Sequence, residues 1–125
     1  MNRFRAIVLT VAVMLLTVGA AEAADLYTPP LAYGSNDVAT CDITNVSAQT
    51  RSFTFQLIDT SGTVRVSGAN TLPPGASGGG GTGGPTLVGE LFYCHFDVGG
   101  TKAQFRAAIK RRDSSGGDIV AVPAE

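Results

Sequence analysis

The stretch TLVGELFYCHFDV, residues 86–98, decides the fold. Val88, Phe92, Cys94, Phe96 and Val98 fall on one parity, and Leu91, Tyr93, His95 and Asp97 on the other. Successive side chains of a strand point to opposite faces, so this is a long strand with its cysteine in the apolar row and a second face that is half apolar. Residues 38–46 repeat the pattern. Ala39, Cys41 and Ile43 alternate with Thr40, Asp42 and Thr44, and Val46 breaks the parity at a bulge or at the strand's end. Both cysteines of the chain therefore sit mid-strand, in rows that face a core.

Further strands flank these two. Phe53, Phe55 and Leu57 form an inward set that ends in Asp59-Thr60-Ser61-Gly62, which is turn chemistry, and Val64 and Val66 alternate directly after it. The pair predicts a β-hairpin with a short loop. Leu72-Pro73-Pro74-Gly75 closes a short strand. Residues 75–85 are dominated by glycine, which offers no side chain to pack and loses the most entropy on ordering, so a mobile surface loop is expected there. A phosphate cradle would need Lys and then Ser or Thr after the last glycine, and Gly84 is followed by Pro85.

Residues 103–112 carry good helix formers, with Phe105 and Ile109 four apart, yet Phe105, Ala107 and Ile109 also alternate with Arg106, Ala108 and Lys110. Their position between two Gly-rich turns, Gly99-Gly100 and residues 113–118, favours a strand, with Ile119 to Val122 as the closing one.

At the N-terminus Arg3 and Arg5 precede an apolar run from Ala6 to Val18, too short for a stable bilayer span, and Ala21-Glu22-Ala23 follows. This is the layout of a signal peptide over residues 1–23, cut after Ala23 or alternatively after Ala20. The mature chain has no transmembrane segment, and its expected location is periplasmic or secreted. Residues 24–37, with Pro29-Pro30, read as an extended N-terminal arm, and residues 38–123 as a β-sandwich domain. Two cysteines in an oxidising compartment predict one disulfide, Cys41 to Cys94. Beyond residue 23 there are seven Lys and Arg against nine Asp and Glu, a balance that gives no bulk attraction to nucleic acid.

Six or seven short antiparallel strands, two of them tied by a cystine across the core, resemble an immunoglobulin-like β-sandwich. The chain lacks Trp, and Phe92 stands two residues before Cys94 where antibody-type domains have Tyr. At finer grain, Ala39-Thr40-Cys41-Asp42-Ile43-Thr44-Asn45-Val46, Leu72-Pro73-Pro74-Gly75, Tyr93-Cys94-His95-Phe96 and Phe105-Arg106-Ala107 together look like small exported proteins of Gram-negative bacteria. No activity is attached to that group, so the resemblance implies a fold and a location and no mechanism.

Candidates for chemistry are sparse. His95, the single histidine, shares a face with Tyr93 and Asp97, but no Gly-x-Ser-x-Gly turn presents a nucleophile. Glu90 and Asp97 lie on opposite faces, which excludes an acid and base pair in one cleft. Asp113 to Asp118 lacks the acidic spacing of a calcium loop. No residue is nominated as catalytic, and no metal or cofactor is expected. Lys102, Arg106, Lys110 and Arg112 share parity and would line about 33 Å of one strand face, a candidate anion-binding stripe against the plainer reading of solvated charge. Asn45-Val46-Ser47 is a glycosylation sequon, expected to be silent. The expected function is a non-enzymatic exported module that binds or supports the envelope. Its partner would be another envelope protein or an anionic polysaccharide. Docking of a protein through a sheet edge is the alternative, and a small hydrolase the remote third.

Overall fold

The computed structural model describes residues 23–33, 37–83, 90–112 and 118–125. The strands are β1 (Ala24–Tyr27), β2 (Leu31–Ala32), β3 (Val38–Asn45), β4 (Arg51–Asp59), β5 (Val64–Leu72), β6 (Ser77–Gly83), β7 (Leu91–Val98), β8 (Phe105–Arg112) and β9 (Asp118–Pro123). A 3₁₀ turn, Lys102–Gln104, precedes β8. The first sheet has the order β1-β7-β4-β5 with β2 also on β7, and the second the order β6-β3-β8-β9. Every pairing is antiparallel, so the domain is an all-β sandwich of two sheets. Among the described residues no helix is long and apolar enough to cross a membrane.

Alternation builds the core as expected. On β3 the side chains alternate between half-buried and buried, with Ala39, Cys41 and Ile43 inward, and β7 sends Phe92, Cys94, Phe96 and Val98 inward. Phe53, Phe55 and Leu57 on β4 and Phe105, Ala107 and Ile109 on β8 complete the two facing layers. Residues 105–112 are a strand, and the apolar row that helix and strand readings shared faces the core. The disulfide joins Cys41 of the second sheet to Cys94 of the first, with both residues fully buried and the Cα atoms 5.8 Å apart. Closing the 53-residue separation contributes about 4 kcal/mol on the chain-entropy model. Such a bond forms and persists in an oxidising compartment.

Three strands were not expected, and among the described residues the count rises from six or seven to nine. Two come from the N-terminal arm: β1 pairs residue by residue with β7, from Ala24 opposite Val98 to Tyr27 opposite His95, and β2 pairs Leu31 with Phe92. Leu26 and Tyr33 of this segment are buried in the core, so the arm is part of the sandwich. The third, β6, runs through the segment expected as a mobile glycine loop, and it pairs with β3 from Val38 opposite Gly83 to Thr44 opposite Ser77.

Glycine is required in β6 by what lies across from it. A Cβ at Gly78 would stand 3.2 Å from the Phe53 ring, and one at Gly80 would stand 2.8 Å from the Phe55 ring. At Gly79 and Gly81 it would collide with the carbonyl oxygens of Cys41 and Ala39. The two rings of β4 thus fill the space that side chains on β6 would occupy, and the glycine strand is packed from the opposite sheet.

Candidate functional site

The stripe residues are split by the 3₁₀ turn. Lys102 lies in that turn, exposed and off β8, so the expected line of four cations over ten residues does not form. Arg106, Lys110 and Arg112 do share the outward face of β8, a span of about 20 Å. Register on β3 sets their neighbours: Thr44 is opposite Arg106, Asp42 opposite Ala108, and Thr40 opposite Lys110. Lys110 Nζ lies 3.0 Å from Asp42 Oδ2, and Arg112 Nη2 lies 3.9 Å from the same oxygen. Arg106 turns back on its own chain and donates to the carbonyls of Phe105 at 2.8 Å and Ala103 at 3.3 Å.

Beside these cations the surface drops, because β6 has no side chains from Gly78 to Gly81. The result is a groove of about 500 Å³ lined by Thr40, Asp42, Thr44, Ser77, Lys110 and Arg112, with Gly78 to Gly80 alongside. Its wall is hydroxyl-rich, and Thr44 and Ser77 share a 2.6 Å hydrogen bond across the strands. Arg106, Lys110 and Arg112 share this face with the Asp42 carboxylate, and Asp118 of β9 stands opposite Arg112 in the ladder. Asp42, Ser77 and the glycine terrace were missed as site residues. Parity had placed Asp42 outward, but the pairing of β3 with both β6 and β8 is a long-range fact with no local signal.

Arg111 takes the inward parity at the open end of the sandwich. Its Nε lies 3.7 Å from Asp37 Oδ2, and its Nη1 donates to Ala32 O at 3.2 Å. Tyr33 sits beside it with its hydroxyl 3.3 Å from Lys110 O, and burial raises its pKa well above the usual phenol range, with the Arg111 charge opposing. This cluster plugs the core and ties β2 to β8.

His95 faces outward, as parity predicted, but its partners come from the arm. Nε2–H donates to Asp25 Oδ1 at 2.8 Å, Nδ1 is 3.4 Å from Gln56 Oε1, and the ring stacks on Tyr27 with centroids 4.4 Å apart. Its role in this arrangement is to clamp β1 onto β7. Among the described residues no three His, Cys, Asp or Glu side chains gather as metal ligands.

The sequon has a structural explanation. Asn45 is fully buried; its Nδ2 donates to Gln49 O at 2.7 Å and Leu72 O at 2.9 Å, and its Oδ1 accepts from the Ser47 amide and hydroxyl. A buried amide with all its hydrogen-bonding capacity used cannot carry a glycan in the folded protein. No protein-family model matches the chain, and no curated protein or solved structure matches it.

Proposed function

We propose that this chain is an exported, non-enzymatic β-sandwich module, periplasmic or secreted, that binds an anionic polysaccharide of the cell envelope on the outward face of its second sheet. The observation that supports this reading is the groove along β6 and β3, hydroxyl-lined and flanked by Lys110 and Arg112. A polysaccharide offers many hydroxyls and few apolar faces, which suits Thr40, Thr44, Ser77 and Asp42, and its acidic groups would take the cations. The glycine terrace lets an extended polymer approach the backbone closely.

Titrating the purified, oxidised protein with polygalacturonate and with neutral dextran tests the reading. Binding to the acidic polymer alone is expected, falling steeply between about 0.01 M and 1 M salt, where the Debye length shrinks from about 30 to about 3 Å. Lys110→Glu with Arg112→Glu should weaken it at least about tenfold, while Lys102→Glu, which lies off the strand, should change it little. Binding that ignores salt, or none at low salt, overturns it.

A second reading, protein docking by strand addition, is favoured by one feature of β6. Within its sheet β6 pairs with β3 alone among the described residues, and Ser77–Gly83 contains neither charge nor proline, the usual guards of a sheet edge. Capture of a single envelope protein in a one-to-one complex, abolished by Thr82→Pro in β6 with the fold intact, would favour this reading over the first.

A further inference from the structure

We propose that the Ala23–Ala24 bond is the processing site, that it is cut before β1 enters the first sheet, and that the new α-ammonium of Ala24 then pairs with Asp97 to hold β1 on β7. The inference rests on the export reading above. Strand β1 begins at Ala24, directly after Ala21-Glu22-Ala23. From there the chain is engaged at every residue: Ala24 opposite Val98, Asp25 opposite Asp97, Leu26 opposite Phe96 and Tyr27 opposite His95. Leu26 is buried, and the Thr28 hydroxyl accepts the Cys94 amide at 2.8 Å. Proteolysis needs an exposed, unpaired segment on both sides of the bond, which a docked β1 does not offer. Hydrolysis therefore precedes docking. Water adds across the amide in the cleft of a signal peptidase, the C–N bond breaks, Ala23 keeps the new carboxylate, and the Ala24 nitrogen takes up a proton.

The charge pattern around Ala24 points to what that proton does. Asp25 and Asp97 stand directly opposite each other on adjacent strands, an arrangement that repels. His95 answers Asp25 at 2.8 Å. Asp97 is exposed and has no ion-pair partner among the described residues. Ala23 and Asp97 line one cavity of about 520 Å³, together with Ser52, Thr54 and Thr71. Removing Ala23 places a positive charge on the rim of the cavity that Asp97 lines, and an α-amine with an ordinary pKa of about 7.7–8.0 is mostly charged at neutral pH.

Intact-mass measurement of the exported protein should give a chain starting at Ala24. A start at residue 21 overturns the site, and retention of Met1 overturns the export reading beneath it. Oxidised, folded precursor should resist purified signal peptidase that cuts reduced, unfolded precursor at Ala23–Ala24; equal cutting rates overturn the order. Selectively acetylating the α-amine of the exported protein should lower Tm by about 2–4 °C, the scale of an exposed ion pair in a domain of this size. In an Asp97→Asn background the same acetylation should leave Tm unchanged. An equal drop in both backgrounds, or none in either, overturns the pairing.

Discussion

Replacing Asn45 by Ala should remove much of the stability of this domain without touching its apolar core. The side chain makes four hydrogen bonds: to Gln49 O at 2.7 Å, to Leu72 O at 2.9 Å, from the Ser47 amide at 3.0 Å and from the Ser47 hydroxyl at 2.7 Å. The bond to Leu72 O is buried, and stranding that acceptor costs about 1–3 kcal/mol. The other three are partly open to water, which recovers part of their roughly 1 kcal/mol each. A loss of about 3 kcal/mol follows, a large share of the 5–15 kcal/mol typical of small domains. In a domain of about a hundred residues that is a fall in Tm of about 12–20 °C.

Urea unfolding of the oxidised protein, followed by far-ultraviolet circular dichroism, measures it. The midpoint should move and the slope should not. Asn45→Asp keeps the shape and the acceptor but turns an anion toward two carbonyl oxygens, so its folded pKa rises above the unfolded value of about 3.9. Its penalty is absent below that unfolded value and grows as pH rises toward the folded one. A loss under about 1 kcal/mol for Asn45→Ala, or an Asp variant whose stability does not fall with rising pH, would refute the role given to this amide.

Other expectations follow from single contacts. Gly80→Val forces branched carbons against the Phe55 ring and should cost about 1–3 kcal/mol by overpacking, read from the same urea midpoint. Reducing the Cys41–Cys94 bond should lower stability by about 4 kcal/mol, measured as the shift in unfolding midpoint with dithiothreitol. The Asp59 carboxyl is held below the ordinary range, first by the Ser61 hydroxyl, against an opposing desolvation, and then by the Thr63 amide, Arg65 and the Ser61 amide, which together outweigh it. Its contribution is complete above the unfolded pKa and disappears as pH falls through the lowered folded value, so Asp59→Asn should flatten the acid limb of a Tm against pH curve. His95→Ala removes the stack on Tyr27 and the contact to Asp25, and should speed amide exchange in β1 while leaving β3 and β8 protected.

The parts of the fold that were legible in the sequence are those encoded by neighbours two residues apart. Ala39-Cys41-Ile43, Phe53-Phe55-Leu57 and Phe92-Cys94-Phe96 announce their inner faces locally, and the cystine follows from two such rows. The glycine segment was illegible because its packing partner, the ring pair Phe53 and Phe55, lies on another strand. A run without side chains carries no period of its own. Likewise Lys102 has the right parity for the stripe, yet the 3₁₀ turn rotates it off the strand, and the local signal for that turn is Gln104 Oε1 reaching back to accept the Thr101 amide at 2.9 Å. The sequon at Asn45 was expected to be silent, but the structural task of its amide was not legible, because the carbonyl it satisfies belongs to Leu72, 27 residues on.

The placement of β3 has a kinetic consequence. Its ladder partners are β6 and β8, so Cys41 lies opposite Gly80 on one side and Ile109 on the other. A chain that emerges from its amino end must hold Val38–Asn45 unsatisfied until residues nearly forty and then seventy positions later have arrived. Such late-closing ladders belong to the slow end of small-domain folding, on the order of milliseconds to seconds. For that interval the strand that carries Cys41 is a bare template, open to whatever holdase or oxidant meets the nascent polypeptide.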